Sequence, residues 1–308
     1  MRACLPFFGL VAAVASLPAQ QPPVRVERPF QTGIEVTSIT ATVTDGEGHL
    51  VADLPREAFE VFEDGDRQEI TQFTRQRVPV GLGVLLDISD SMFGRRIEDA
   101  RKAVDRFLFD LLDPADEFFL MAFNHKPRAM TGWTRAQAEV QRALAGLQPS
   151  GGTAIYDAIV ESMPLLEART RPRGALLVIS DGADTASTAA LRDVRSALLR
   201  SDAFIYAIAI DSPERQPINT RVNAQVLREV TAESGGRTEI VRSSADLIEA
   251  TARIAEELNS QYVLGYTSPR GADNQFHSIR VKIRGPAAGE YRVRSRNGYI
   301  ATPLRRRR

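Results

Sequence analysis

Cysteine is nearly missing from this chain of 308 residues, with Cys4 alone near the amino end. Disulfides, thiolate metal sites and cysteine nucleophiles are therefore excluded from everything downstream. Histidine is scarce too. His49, His125 and His277 lie far apart and fall in no metal-ligand spacing, so surface positions are expected for all three. Neither sign of charge is in excess, 39 Lys and Arg against 39 Asp and Glu. No overall field draws the chain to nucleic acid or to an acidic surface. There is no G-x-S-x-G elbow, no P-loop and no G-x-G-x-x-G fingerprint, so the common signatures of hydrolases and nucleotide-binding enzymes are absent. Beyond the first residues, no segment is long and apolar enough to span a bilayer.

The amino end reads as a secretory signal. Arg2 supplies the basic start, Leu5 to Leu17 is apolar, and Ser-Leu-Pro-Ala precedes Gln20. The apolar run is too short for a comfortable membrane span. Cleavage after Ala19 is expected, with Ser16 the alternative, and Cys4 lies too early for a lipoprotein site. The chain is expected to be exported, to the periplasm or the outside, with no membrane insertion after cleavage. Gln20 to Gln31, rich in Pro and Gln, reads as a flexible lead.

The stretch from Val78 to Gly94 organises the rest. Val80 to Leu86 is apolar except for Gly81 and Gly83, the pattern of a strand buried on both faces. It ends in Asp87-Ile-Ser89-Asp-Ser91, then Gly94 and a long amphipathic helix. An acid and two hydroxyls thus sit where a central strand hands over to a helix, the place where open α/β sheets bind ligands. Oxygen-only donors suit Mg²⁺, Mn²⁺ or Ca²⁺. On this string alone, the competing reading is that Asp87 or Ser89 simply caps the next helix.

Two later stretches bear on that choice. Ser150-Gly-Gly152-Thr153-Ala-Ile-Tyr156-Asp157 is a Gly-Gly loop opening a helix, and Ala175 to Ser180 is a second buried strand ending in Asp181-Gly182. D-x-S-x-S, a Gly-Gly-Thr loop and strand-S-D-G, in this order, resemble the von Willebrand factor A (VWA) domain. In that family the three loops form the metal-ion-dependent adhesion site. The correspondence runs through Asp87, Ser89 and Ser91, then Thr153, then Asp181, with no motif position substituted.

The resemblance implies that Ser89 and Ser91 bind the metal directly. Asp87 would act through water and hydrogen bonds, and Thr153 and Asp181 would alternate between direct and water-mediated contact. It implies Mg²⁺ or Mn²⁺ ahead of Ca²⁺, and a protein partner that presents an Asp or Glu carboxylate. In some relatives the change at the metal is coupled to movement of the last helix, here Ser244 to Leu258. Asp157 is expected to hydrogen-bond loop backbone in support of the site. Gly152, Asp90 and Met92, with Phe93, are read as neighbours or rim, and Asp90 and Asp184 as solvated. Val43 to Leu54, Ala58 to Gly65, Tyr262 to Tyr266 and Arg296 to Tyr299 further resemble exported bacterial VWA-related proteins.

Strand and helix signals alternate from Val80 to Leu258, which predicts βα units and a parallel sheet. The fold class expected is α/β, a doubly wound, mostly parallel sheet of VWA or Rossmann-like type. Flanking strands from both ends should form a small sheet or sandwich beside it. Asp64-Gly65 between alternating runs predicts a hairpin. Asp45, Glu47, Glu63, Asp64 and Asp66 match no calcium loop and read as turn residues. The expected divisions are a signal at 1–19, a lead at 20–31 and a β region at 32–77. A VWA domain at 78–259, a second β region at 260–302 and a basic tail at 303–308 follow. The function expected is a non-enzymatic, metal-dependent binding module. The runner-up is a structural or assembly domain whose metal only stabilises the loops. A Mg²⁺-dependent hydrolase ranks behind both, because the second acid such enzymes need is replaced by Ser89.

Overall fold

Every residue from Val80 to Asp87 is buried, as a strand covered on both faces must be. The structure, a computed structural model, describes residues 36–181, 184–211, 224–285 and 288–301. The expected signal, the lead, Cys4, Gly182 and the basic tail lie outside the described residues.

The chain opens with β1 (Val36–Thr44), β2 (Phe59–Glu63), β3 (Asp66–Gln68) and β4 (Gln72–Thr74). The α/β portion runs β5 (Val80–Asp87), α1 (Arg95–Arg106), β6 (Glu117–Phe123), β7 (Pro127–Ala129), α2 (Gln137–Ala145) and α3 (Ile155–Glu167). It continues through β8 (Arg173–Ser180), α4 (Leu191–Leu199), β9 (Phe204–Ile210), α5 (Ala224–Ser234), β10 (Thr238–Val241) and α6 (Ser244–Asn259). The chain then returns to strands: β11 (Tyr262–Thr267), β12 (Phe276–Ile283), β13 (Arg292–Ser295) and β14 (Gly298–Ile300).

Six strands form the central sheet in the order β10-β9-β8-β5-β6-β7. All neighbours are parallel except the β6–β7 pair. Side chains alternate between two apolar layers. Leu82, Val84 and Leu86 of β5 join Ile97 and Val104 of α1, Val140 of α2 and Ile254 of α6 on one face. Leu85 joins Ile159 of α3, Val194 of α4 and Leu227 of α5 on the other. Gly83 faces that second layer because nothing larger fits: a Cβ there would lie 2.3 Å from the Phe119 ring and 2.6 Å from Leu176. From β5 the chain leaves through α1 toward β6, and from β8 it leaves through α4 on the opposite face toward β9. The winding therefore reverses between β5 and β8, and a crevice opens at their carboxyl ends.

The flanking strands build a sandwich of two four-stranded antiparallel sheets, β13-β1-β11-β4 and β14-β12-β2-β3. N- and C-terminal strands interleave in both. Ile39, Val61, Tyr262, Leu264 and Val281 fill the space between them. The hairpin forms as predicted: Glu63 pairs with Asp66, leaving Asp64 (φ 50°) and Gly65 (φ 91°) as a two-residue turn. Between β3 and β4 the chain crosses from one sheet to the other and buries Ile70 between them.

Other departures are local. The long amphipathic helix expected after Gly94 changes at Phe107 into a π turn through Leu111, where Leu112 N–H reaches the Phe107 carbonyl at 3.2 Å. β10 was too short to announce itself by alternation. His277 is buried rather than on the surface, since it lies on the inward face of β12. No helix among the described residues is long and apolar enough to cross a membrane.

Candidate metal centre

Two neighbouring parallel strands put polar residues side by side at the crevice. β5 ends in Asp87 and β8 in Ser180. The Ser180 hydroxyl donates to Asp87 Oδ2 at 2.5 Å, and the Ser89 N–H donates to Oδ1 at 2.8 Å. Asp87 is 0% exposed. Burial pushes its carboxyl up to about 7, the two serine partners hold it below where burial alone would leave it, and the charge of Asp181 pushes it further up. Among the described residues no cationic side chain pairs with it. Nor does Asp87 or Ser89 cap α1, whose N-cap is Gly94 with no side-chain cap.

The first loop is a single tight turn, Asp90–Met92. It brings the Ser89 and Ser91 hydroxyls to 3.0 Å, and Ser91 Oγ donates to Asp181 Oδ1 at 2.5 Å. Ser89, Asp181 and Thr153 are all buried. Met92 is not at the rim, because its side chain is fully buried in the core beneath the turn. Its neighbour Phe93 is 76% exposed and forms the rim instead. Asp90 is exposed.

The second loop is tied to the first by main chain: Ser150 N–H to the Ile88 carbonyl at 2.8 Å, and Asp90 N–H to the Gly151 carbonyl at 2.9 Å. It is tied to the loop after β8 through Thr153, whose N–H donates to Thr185 Oγ1 at 3.0 Å and whose carbonyl accepts from Thr185 and Ala186 at 2.8 and 3.0 Å. Gly152 permits this approach, since a Cβ would stand 3.2 Å from the Ala186 methyl. Asp157 accepts from the Thr188 and Ala189 N–H groups at 3.0 and 2.8 Å and so holds the same loop. Asp184 is not simply solvated. It accepts from the Tyr156 N–H at 3.0 Å and the Ser187 hydroxyl at 2.5 Å, serving the free amino end of α3.

Asp87, Ser89, Ser91 and Asp181 are thus brought together by direct contacts, and Thr153 joins them through its loop. The donors are hard oxygens, three neutral hydroxyls and two carboxylates, and this set fits a hard divalent cation. Asp45, Glu47 and His49 also place potential ligand atoms within 4.8 Å of one another. There Asp45 closes a turn by accepting from the Glu47 and His49 N–H groups, each at 2.9 Å, as expected of a turn residue.

Two participants escaped sequence reasoning. Ser180 was visible only as the residue before Asp181. Arg96 enters from the first turn of α1: its Nη1 donates to the Ser91 carbonyl at 2.9 Å and also bonds Asp181 Oδ2. A cation at a helix amino end opposes the helix dipole, and that was the available sign that Arg96 had other employment.

A family model for the von Willebrand factor type A domain matches residues 82–183, the stretch that holds all five motif residues. The chain contains a von Willebrand factor type A domain. The VWA structure from Catenulispora acidiphila resembles this one with a TM-score of 0.52 at 13% identity, covering 89% of this chain and 76% of that one. An aerotolerance-related membrane protein from Bacteroides fragilis NCTC 9343 gives 0.50 at 21% identity, covering 58% and 98%. These likenesses concern the fold. Among curated relatives, inter-alpha-trypsin inhibitor heavy chain H4 of Bos taurus is 32% identical over 120 residues, 35% of this chain and 13% of that one. Heavy chain H2 of Mus musculus is 27% identical over 178 residues, 53% and 19%. The chain therefore spans less than a fifth of the length of these relatives. The VWA domain supplies the α/β fold, and the sandwich packs beside it.

Proposed function

We propose that the VWA domain is the binding module of an exported protein, gripping an acidic side chain of a protein partner through a divalent ion, Mg²⁺ or Mn²⁺. The VWA domain would span residues 78–259, between β regions at 32–77 and 260–302. The observation that carries this reading is Asp87: a fully buried carboxylate, without a paired cation among the described residues, beside the oxygens of Ser89, Ser91 and Asp181. A buried acid so placed is costly unless the site has a use for a cation.

Ser89, Ser91, Thr153, Asp87 and Asp181 would hold the ion. When bound, it supplies a Lewis-acidic position that accepts a partner carboxylate. With an ion bound, Asp87 would place its negative charge at the base of the site, and Ser180 with the Ser89 N–H fixes the direction of its oxygens. Asp157 and Asp184 hold the loop after β8 and the start of α3 in place. No residue here is positioned to act as a second acid or base two places after Asp87, so binding rather than hydrolysis is the reading.

Calorimetric titration with Mg²⁺ and Mn²⁺ tests the site. One ion should bind to the unaltered protein, and Asp87→Ala and Thr153→Ala should abolish or weaken that binding by about tenfold or more. A folded protein that binds neither ion, even with acetate or an acidic peptide present, would sink the proposal. Binding of the ion with no partner whose capture is blocked by chelation would favour a purely structural metal.

A further inference from the structure

We propose that Arg96 is a built-in cation that occupies the acidic end of this site and must be displaced before a divalent ion binds there; the idea rests on the metal-binding reading above. The Arg96 side chain is 10% exposed and that of Asp181 1%, so the pair is shielded from bulk water. Both oxygens of Asp181 are engaged by the first loop and its helix: Oδ1 by the Ser91 hydroxyl at 2.5 Å, Oδ2 by the Arg96 guanidinium. The same guanidinium nitrogen holds the Ser91 carbonyl at 2.9 Å. Arg96 therefore grips two of the five residues proposed to hold the ion.

A divalent ion coming to Ser91 and Asp181 would meet a fixed positive charge at close range, in surroundings that screen it poorly. The ion and the guanidinium compete for one carboxylate, and the side chain has to swing out for the ion to enter. The rim it would swing toward already carries the exposed Arg95 and Phe93. A released Arg96 adds positive charge there, where an acidic partner would arrive. Metal occupancy and partner binding then reinforce each other, since the partner's acid favours the state in which Arg96 has left Asp181.

The test compares Mn²⁺ binding, by calorimetry and by the electron-paramagnetic-resonance signal of free Mn²⁺, in the unaltered protein, Arg96→Gln and Arg95→Gln. Arg95 is the charge-matched control, exposed and one residue away. Arg96→Gln should bind Mn²⁺ about tenfold tighter or more, the scale of one close like charge removed, while Arg95→Gln stays within about twofold. Its melting temperature should also rise more on adding Mn²⁺. Arg96→Lys, which keeps charge but loses the planar fork, should fall between and serves if the glutamine variant folds poorly. Equal or weaker binding by Arg96→Gln, with the unaltered protein binding normally, overturns the competition and leaves the metal site standing. Failure of every variant to bind Mn²⁺ overturns both.

Discussion

Asp87 and Glu257 are both 0% exposed, and they sit at opposite ends of the central sheet in opposite circumstances. Glu257 lies near the end of α6, beneath the amino ends of β8 and β9. Its Oε1 accepts from Tyr206 OH at 2.9 Å and Thr42 Oγ1 at 3.1 Å. Its Oε2 pairs with Arg294 at 2.6 Å and Arg237 at 3.3 Å. Gln261 and Arg173 extend the network, joining α6 and β8 to β1 and β13 of the sandwich. Asp87 has hydroxyl and amide partners only. The difference separates two uses of a buried acid. One is neutralised within the fold and ties its parts together, and the other is left short of positive charge at a crevice where a cation can reach it.

Removing the acids should therefore have opposite effects. Glu257→Ala would leave Arg294, Arg237 and Tyr206 around an empty space. Breaking a buried pair from one side costs ~3–5 kcal/mol, the partial exposure of the two arginines pulling the figure toward the lower end. A large fall in the chemical-denaturation midpoint is expected, with the loosening felt in both the sandwich and α6. A loss under about 1 kcal/mol would mean that the network contributes specificity without stability.

Asp87→Asn should instead stabilise the protein in the absence of divalent ions. The folded-state carboxyl, raised from 3.8 to about 7, keeps its proton over a range where the unfolded chain has lost it. The folded state then binds more protons, so stability falls as pH rises from about 4 to about 7 and stays low above. Asparagine has no such charge to bury. At pH 8 without metal it should be more stable by about 2–4 kcal/mol, since each tenfold weakening of an acid is worth roughly 1.4 kcal/mol. Its pH profile through the same window should be flatter, and it should bind no Mn²⁺. Denaturation curves at several pH values in chelator decide the matter. A destabilised asparagine variant would show that Asp87 is held as firmly as Glu257.

The crevice was readable in the sequence because its parts are local. An apolar strand ending in Asp87, and another ending in Ser180-Asp181, declare both position and chemistry within a few residues. The Glu257 network was not readable. Thr42, Tyr206, Glu257, Gln261 and Arg294 come from separate elements, and each alone looks like an ordinary polar residue at an element's edge. The same holds for Glu63 in the sandwich, which accepts from Tyr266, Tyr299 and Ser268 at 2.7 to 3.0 Å. Interleaved strand order also escaped, because alternation marks a strand without naming its neighbour. Arg96 and Asp184 failed for another reason: what they serve lies across a loop, out of reach of any spacing rule.

A third buried group sharpens the contrast by its smaller effect. His277, on β12, holds Asp64 Oδ2 at 2.8 Å through Nδ1 and Asp273 Oδ1 at 3.1 Å through Nε2. Burial opposes its charged form, but the hydrogen bonds and charges of the two acids outweigh it and hold the imidazole above its ordinary value. A histidine raised in this way adds stability that is fully present below its unfolded value, about 6.5, and is lost as pH rises through the higher folded one. The acids are lowered, chiefly by His277 for Asp64 and by the Gln275 N–H for Asp273, so their share is lost instead as pH falls below the usual carboxylate range. Both acids are partly exposed, and the histidine's pH-dependent share should be below about 1 kcal/mol. His277→Asn should therefore flatten the stability profile above about 6.5, while the steeper fall at lower pH remains for Asp87→Asn to remove. Mn²⁺ affinity should not change, since the cluster belongs to the sandwich. If His277→Asn flattened the profile at lower pH as well, the fall assigned to Asp87 would belong to the sandwich, and the contrast with Glu257 would lose its pH signature.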